Sequence, residues 1–319
     1  MALAIATMRI IRDSLYLDPT DRGAVAAIGN FDGVHLGHLA VLDAARIAAR
    51  VAGAPLGVVT FEPHPREFFA PGGAPFRLMN AGARAHRLDK LQVAKLYELP
   101  FNAGLAALSA QEFASEVIAR RLGLRGVVVG QDFRFGKGRT GDATGLVAMG
   151  AAHGFGVTVA PMLALAGGEV SSTAIRAALT DGRPRDAAAM LGHWHRIEGP
   201  VIRGEQRGRE LGYPTANMSV TGLHPPRFGV YAVLVDVLDG PQQGSYRGAT
   251  SIGVRPTFGV NAANCETYLF DFKGDLYGAT LSVALVAYLR PELKFDGMPA
   301  LIAQMDADCT QARVILADV

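Results

Sequence analysis

The sequence predicts two domains of different class: an α/β domain on a parallel sheet, then a small antiparallel β-barrel with a C-terminal helix. Three observations carry this. Over the first part, short strands (24–28, 58–61, 127–129, 156–160) alternate with stretches of helical periodicity, and the β-branched run 127–129 reads as a strand of a parallel sheet buried on both faces. Beyond residue 190 the texture changes to alternating or β-branched strands between turn signals such as Asp239-Gly240 and Lys273-Gly274. Finally, Leu301, Met305, Cys309, Ala312 and Leu316 recur at helical spacing behind Asp296, a candidate cap. A chain of 319 residues is ample for two domains, and the expected division is 1–189 and 190–319.

Composition narrows the function classes. Half the residues are hydrophobic (50%) and 19% are charged, as in an ordinary soluble globular protein. A net charge of +2 with scattered lysines and arginines gives no nucleic-acid surface, leaving small anions as expected partners. Cys265 and Cys309 fit no zinc or CxxC pattern, which favours a reduced, cytoplasmic setting. The N-terminal apolar run is broken by Arg9 and Arg12, unlike a signal peptide. The longest apolar stretch, 155–166, contains Gly156 and Pro161 and is too short to span a bilayer.

Taken in order, the first strand (24–28) runs into Gly29 to His38, GNFDGVHLGH, and then into a helix over 39–52. A turn carrying Gly29, Gly33 and Gly37 lets backbone N–H groups approach a polyphosphate, and the helix N-terminus adds partial positive charge. His35 and His38, three apart, share one helix face and point at the same anion. After strand 58–61, Glu62-Pro63-His64-Pro65 fixes the direction of His64 at a strand's carboxyl end, where open α/β sheets bind ligands. A helix over 83–96 is expected, with Leu88, Leu91 and Leu96 inward and Arg84, Arg87, Lys90 and Lys95 outward. Another over 111–121 has Ser109 as cap and Glu112 completing a capping box. Strand 127–129 enters a glycine-rich basic loop, 130–142, with Asp132, Arg134, Lys137 and Arg139. Ser171, Ser172 or Thr173 caps the next helix, leaving first-turn N–H groups for phosphate beside Arg176.

In the second part, strand 197–203 leads to a glycine-rich flap whose Arg207 and Arg209 are placed to reach phosphates. Pro214 fixes the backbone so that Thr215 and Asn217 project on one side as hard oxygen ligands, suited to nucleotide-bound magnesium. Glu266 is expected at a strand start, a position for a general base.

Five segments in this order, GNFDGVHLGH, EPHP, GQDFRFG, SSTAIR and PTAN with a downstream glutamate, resemble the bacterial bifunctional riboflavin kinase/FAD synthetase family. The first alone is similar to the signature of the HxGH nucleotidylyltransferase superfamily. The resemblance implies a Rossmann-like HxGH nucleotidylyltransferase domain followed by a riboflavin kinase barrel. It implies ATP-dependent phosphorylation of riboflavin to FMN in the second, and adenylylation of FMN to FAD with pyrophosphate release in the first. Carried onto this chain, His35 and His38 are catalytic in FAD formation. Gly29, Asn30, Phe31, Gly33, Gly37, Ser171, Ser172, Thr173 and Arg176 hold ATP, with Arg207 and Arg209. Glu62, His64, Asp132 and Phe133 line the flavin site. Thr215 and Asn217 bind Mg2+ with ATP, and Glu266 is the kinase base. Expected partners are riboflavin, FMN and ATP, with no nucleic acid or membrane, for a monomer or transient oligomer.

Overall fold

Residues 7–12, 15, 17–161, 164–165, 168–204, 212–254 and 263–319 are described by the computed structural model. Two compact units result, one of residues 1–74 with 84–170, the other of residues 75–83 with 171–319.

The first unit is built on β1 (Arg9–Ile11), β2 (Val25–Ile28), β3 (Leu56–Glu62), β4 (Lys95–Pro100), β5 (Gly126–Gly130) and β8 (Gly156–Ala160). Their order is β1-β4-β3-β2-β5-β8, and every pairing is parallel. All four β2 residues are buried, which is why this strand reads as an uninterrupted apolar run. Helix α1 (Leu36–Val51) returns the chain from β2 and buries Leu42, Ala45 and Ala49. Short helices α2 (Pro65–Phe69), α4 (Ala103–Ala107) and α5 (Ala110–Glu112) occupy the connections. Ser109 caps α5 through the expected capping box with Glu112, and the helix continues as π turns over Phe113–Arg121. A hairpin of β6 (Arg134–Phe135) and β7 (Gly141–Asp142) precedes α6 (Ala143–His153). Past β8 lies the two-stranded pair of β9 (Ala164–Leu165) and β10 (Gly168–Glu169).

Two expectations are corrected here. The helix read over 83–96 is α3 (Ala81–Lys90), and Leu96 belongs to β4. Gln92 stops the helix by adopting φ 59°, with Val93 N–H donating to Leu88 O at 3.1 Å; no glycine marked the stop. Arg84, expected outward, is 3% exposed and held between two carboxylates.

The second unit is antiparallel. Its strands β11 (Arg196–Pro200), β12 (Ala216–Ser219), β13 (Gly229–Val237), β14 (Gly244–Val254), β15 (Ala263–Leu269) and β16 (Thr280–Arg290) form one sheet. The order is β11-β16-β13-β14-β15-β12. Ile202 N–H, just past β11, donates to Asn217 O of β12 at 2.8 Å, so the sheet curls almost into a barrel. Tyr231, Val233, Ile252, Leu281 and Val283 fill its interior. Helices α7 (Ser172–Thr180) and α8 (Pro184–Leu191) pack through Ile175, Leu179, Ala187 and Leu191. The terminal helix α9 (Met298–Leu316) buries Ala312 and Leu316 as expected. Its Asp308 is buried as well, neutralised by Arg290 at 2.6 Å. Gly297, not Asp296, is the N-cap residue, and no side chain caps this helix. Glu266 lies in the middle of β15 rather than at its start, because pairing with β14 extends back to Ala263.

Candidate active sites

In the first unit the carboxyl ends of the adjacent strands β3, β2 and β5 converge, and each delivers one of the motifs. Between β2 and α1, Phe31 (φ 52°) and Val34 (φ 43°) adopt left-handed backbone, and both side chains are fully buried. Such conformations cost on the order of 1–3 kcal/mol each, and tight packing holds them. The turn they impose delivers His35 as N-cap of α1 and His38 into its first turn.

The two imidazoles cap one another. His38 N–H donates to His35 Nδ1 and His35 N–H donates to His38 Nδ1, both at 3.3 Å. Their rings stack with centroids 3.7 Å apart, and the Phe31 ring backs His38 at 4.9 Å. Since both Nδ1 atoms accept, each neutral ring carries its proton on Nε2, giving two parallel N–H donors. Burial, and then the neighbouring His35, hold the His38 pKa well below the usual histidine range, so it is neutral at pH 7. Gly37 leaves room for this: a Cβ there would lie 3.1 Å from His35 Cε1 and Nδ1. Gly29, Asn30 and Gly33 complete the loop, and Asn30 O accepts from the Thr60 hydroxyl at 3.1 Å.

At the end of β3, Glu62 Oε2 accepts from Arg84 Nη2 at 3.0 Å, and the same nitrogen donates to Glu98 Oε1 at 2.9 Å. His64 caps α2, its Nδ1 accepting from Arg66 N–H at 3.0 Å, while its own N–H donates to Glu67. Phe61, Phe68, Phe69 and Phe101 form an edge-to-face cluster with centroids 5.2–5.8 Å apart. Phe69 is 68% exposed, so this aromatic surface reaches solvent beside His64 and suits a planar ring. Sequence reading missed it, although Arg66-Glu67-Phe68-Phe69 directly follows EPHP. After β5, Asp132 is exposed and Phe133 stacks on Phe135 at 5.3 Å.

Ser171 is the cap chosen from the serine and threonine run, its hydroxyl accepting from Ala174 N–H at 3.2 Å. Ser172 and Thr173 form the first turn of α7. Arg176 is fixed by Phe76: its Nε donates to the Phe76 carbonyl at 2.5 Å and its guanidinium lies over that ring. Arg207 and Arg209 lie outside the described residues.

On β12 and β15, Asn217 and Glu266 are direct cross-strand partners. They lie on the face opposite the core residues Met218, Cys265 and Leu269. Asn264, two residues before Glu266 on the same face, donates from Nδ2 to Asn217 Oδ1 at 2.9 Å and to Glu266 Oε1 at 3.2 Å. It was not singled out from the sequence, where only the Asn-Cys-Glu spacing hinted at it. Among the described residues its own Oδ1 is buried without a hydrogen-bond partner, which costs about 1–3 kcal/mol. Gly204 packs over the site: a Cβ there would lie 2.7 Å from Asn217 Nδ2. Thr215 immediately precedes β12. Asn217 Oδ1, and the Asn264 oxygen that has no partner among the described residues, are hard oxygen donors of the kind a divalent cation takes.

The chain matches two family models, FAD synthetase over residues 17–174 and riboflavin kinase over residues 191–316. It is 42% identical over 311 residues to the bifunctional riboflavin kinase/FMN adenylyltransferase of Pseudomonas fluorescens, covering 97% of this chain and 98% of that one. The protein of the same name from Escherichia coli K12 is 38% identical over 307 residues, covering 96% and 97%. A crystal structure named as a macrolide-efflux protein from Streptococcus pneumoniae matches with TM-score 0.79 and 32% identity, covering 95% of this chain and 97% of that one. Among the described residues, no helix is long and apolar enough to cross a membrane.

Proposed function

The chain belongs to the bacterial bifunctional riboflavin kinase/FMN adenylyltransferase family, and from that membership we propose which residues run each of its two reactions. The FAD synthetase half is N-terminal and the flavokinase half C-terminal. We place the functional division at 189/190.

In FAD formation, a phosphate oxygen of FMN attacks the α-phosphorus of ATP; the new P–O bond forms as the bond to pyrophosphate breaks. The nucleophile is already an anion, so no base is required. His35 and His38 supply two Nε2–H donors to charge building on the reacting phosphoryl group. The observation that carries this role is their mutual capping, which aligns the donors before substrate arrives. Gly29, Asn30, Phe31, Gly33 and Gly37 shape the loop around the phosphates, and Ser171, Ser172, Thr173 and Arg176 contribute to ATP binding; Arg207 and Arg209 belong to the kinase reaction, where they reach the phosphates of its ATP. Glu62, His64, Asp132 and Phe133 line the flavin site, the Glu62 carboxylate being held by Arg84.

In FMN formation, the ribityl 5′-hydroxyl of riboflavin attacks the γ-phosphorus of ATP and ADP leaves. This nucleophile is neutral, and Glu266 takes its proton, worth roughly 10²–10⁴ in rate. Thr215 and Asn217 would hold Mg2+, which when bound neutralises phosphate charge. Both reactions act on small molecules in the cytoplasm, as the unpaired cysteines and modest net charge support. A monomer or transient oligomer suffices, and no nucleic acid or membrane takes part.

The test is a time course with purified protein, riboflavin, ATP and Mg2+, separating FMN from FAD. FMN appearing first and FAD following is the expected result; FMN without FAD would refute the roles given to the first unit.

A further inference from the structure

Asn264 is a fully buried side chain to which neither reaction, as described so far, gives a part. It is 2% exposed, and its one amide nitrogen serves both chemically committed side chains of the kinase site, Asn217 at 2.9 Å and Glu266 at 3.2 Å. Its oxygen has no hydrogen-bond partner among the described residues. An apolar residue of similar size would remove that buried oxygen but would withdraw the donor from Asn217 and Glu266, so what the amide contributes lies in the two side chains it holds. The two hydrogens of Nδ2 allow one bond to each acceptor, so a single rigid amide sets the separation and orientation of carboxylate and Asn217 amide together.

We infer that Asn264 is a positioning residue for riboflavin phosphorylation, holding Glu266 toward the substrate hydroxyl and Asn217 toward the cation-bearing phosphates through one shared donor. This rests on the proposed roles of Glu266 and Asn217. Asn264 acts through those two side chains, so its loss should reduce turnover rather than riboflavin binding.

The experiment compares Asn264→Leu, Asn264→Asp and Glu266→Gln in the full chain. For Asn264→Leu, kcat for FMN formation should fall roughly ten- to hundredfold, while the riboflavin KM and FAD formation from supplied FMN stay within about twofold. Its thermal midpoint should change little, because loss of the buried Asn264 oxygen offsets the donor withdrawn from Asn217 and Glu266. Calorimetric titration with ADP should show weaker binding in the presence of Mg2+ and unchanged binding without it. Asn264→Asp keeps the shape but loses the donor, and should lose kcat as well; it decides the matter if the leucine variant fails to fold. A kcat close to the parent's in the folded variants, or a lower midpoint with both activities falling together, would overturn the positioning role. If Glu266→Gln retains FMN formation, the base assignment fails and the role of Asn264 fails with it. If Glu266→Gln is inactive and both Asn264 variants are fully active, only the role of Asn264 fails.

Discussion

Replacing Gly204 by alanine should disable the kinase and spare the adenylyltransferase. A methyl at this position lies 2.7 Å from Asn217 Nδ2, 2.8 Å from its Cγ and 2.9 Å from its Oδ1. Ordinary non-bonded contact is about 3.5–4.0 Å, so the amide must retreat by roughly 0.7–1 Å. That retreat is opposed by the bond from Asn264, and the backbone of Gly204 does not itself resist a side chain, being outside the left-handed region. A displacement of about 1 Å at a positioning group costs up to ~10² in rate. FMN formation from riboflavin should therefore fall about ten- to hundredfold, and FAD formation from supplied FMN should remain within about twofold of the parent. Both rates come from one preparation by chromatographic separation of the flavins. Undiminished FMN formation would refute the assignment of Asn217 to the reacting centre, and equal loss of both activities would show a general folding defect instead.

Three further outcomes follow from the geometry. Gly37→Ala should slow FAD formation selectively, because its methyl would sit 3.1 Å from the His35 ring and push it off the stack with His38; flavin product analysis reads this. Arg84→Met should destabilise the first unit by about 1–3 kcal/mol in denaturant titrations, since buried Glu98 keeps only its pair with Arg12 and Glu62 loses its anchor. His195 is buried, and desolvation, then the nearby His193 and His224, lower its pKa to about 3. The unfolded imidazole titrates near 6.5, so below that pH the unfolded chain binds the extra proton. This contribution to stability is therefore full above pH ~6.5 and lost on acidification, at up to ~1.4 kcal/mol per pH unit. His195→Gln should flatten the fall of thermal midpoint between pH 6.5 and 4.

The α/β half was legible where residues had one option. The apolar runs of β2, β3 and β5 are buried almost throughout, whereas β8 is an edge strand whose Gly156, Thr158 and Val159 are exposed; the Ser109 and Ser171 caps have side chains made for the purpose. The strands β1 and β4 were not, because β1 has three residues and β4 carries Lys95 and Glu98 at its ends and centre, hiding the period. Buried Glu98 and Arg84 satisfy each other, and nothing local in sequence distinguishes such a pair from a solvated face. The HxGH pair and PTAN were legible because their chemistry is local. Asn264 was not, since its meaning lies in the register that sets β15 beside β12.

Two separate sites with different chemistry are tested most directly by a crossed pair of variants. Glu266→Gln and His38→Ala are each supplied with ATP and Mg2+, once with riboflavin and once with FMN. Glu266→Gln should form no FMN from riboflavin yet convert supplied FMN to FAD, whereas His38→Ala should form FMN and stop there. Loss of both activities in either folded variant would contradict the two-site assignment.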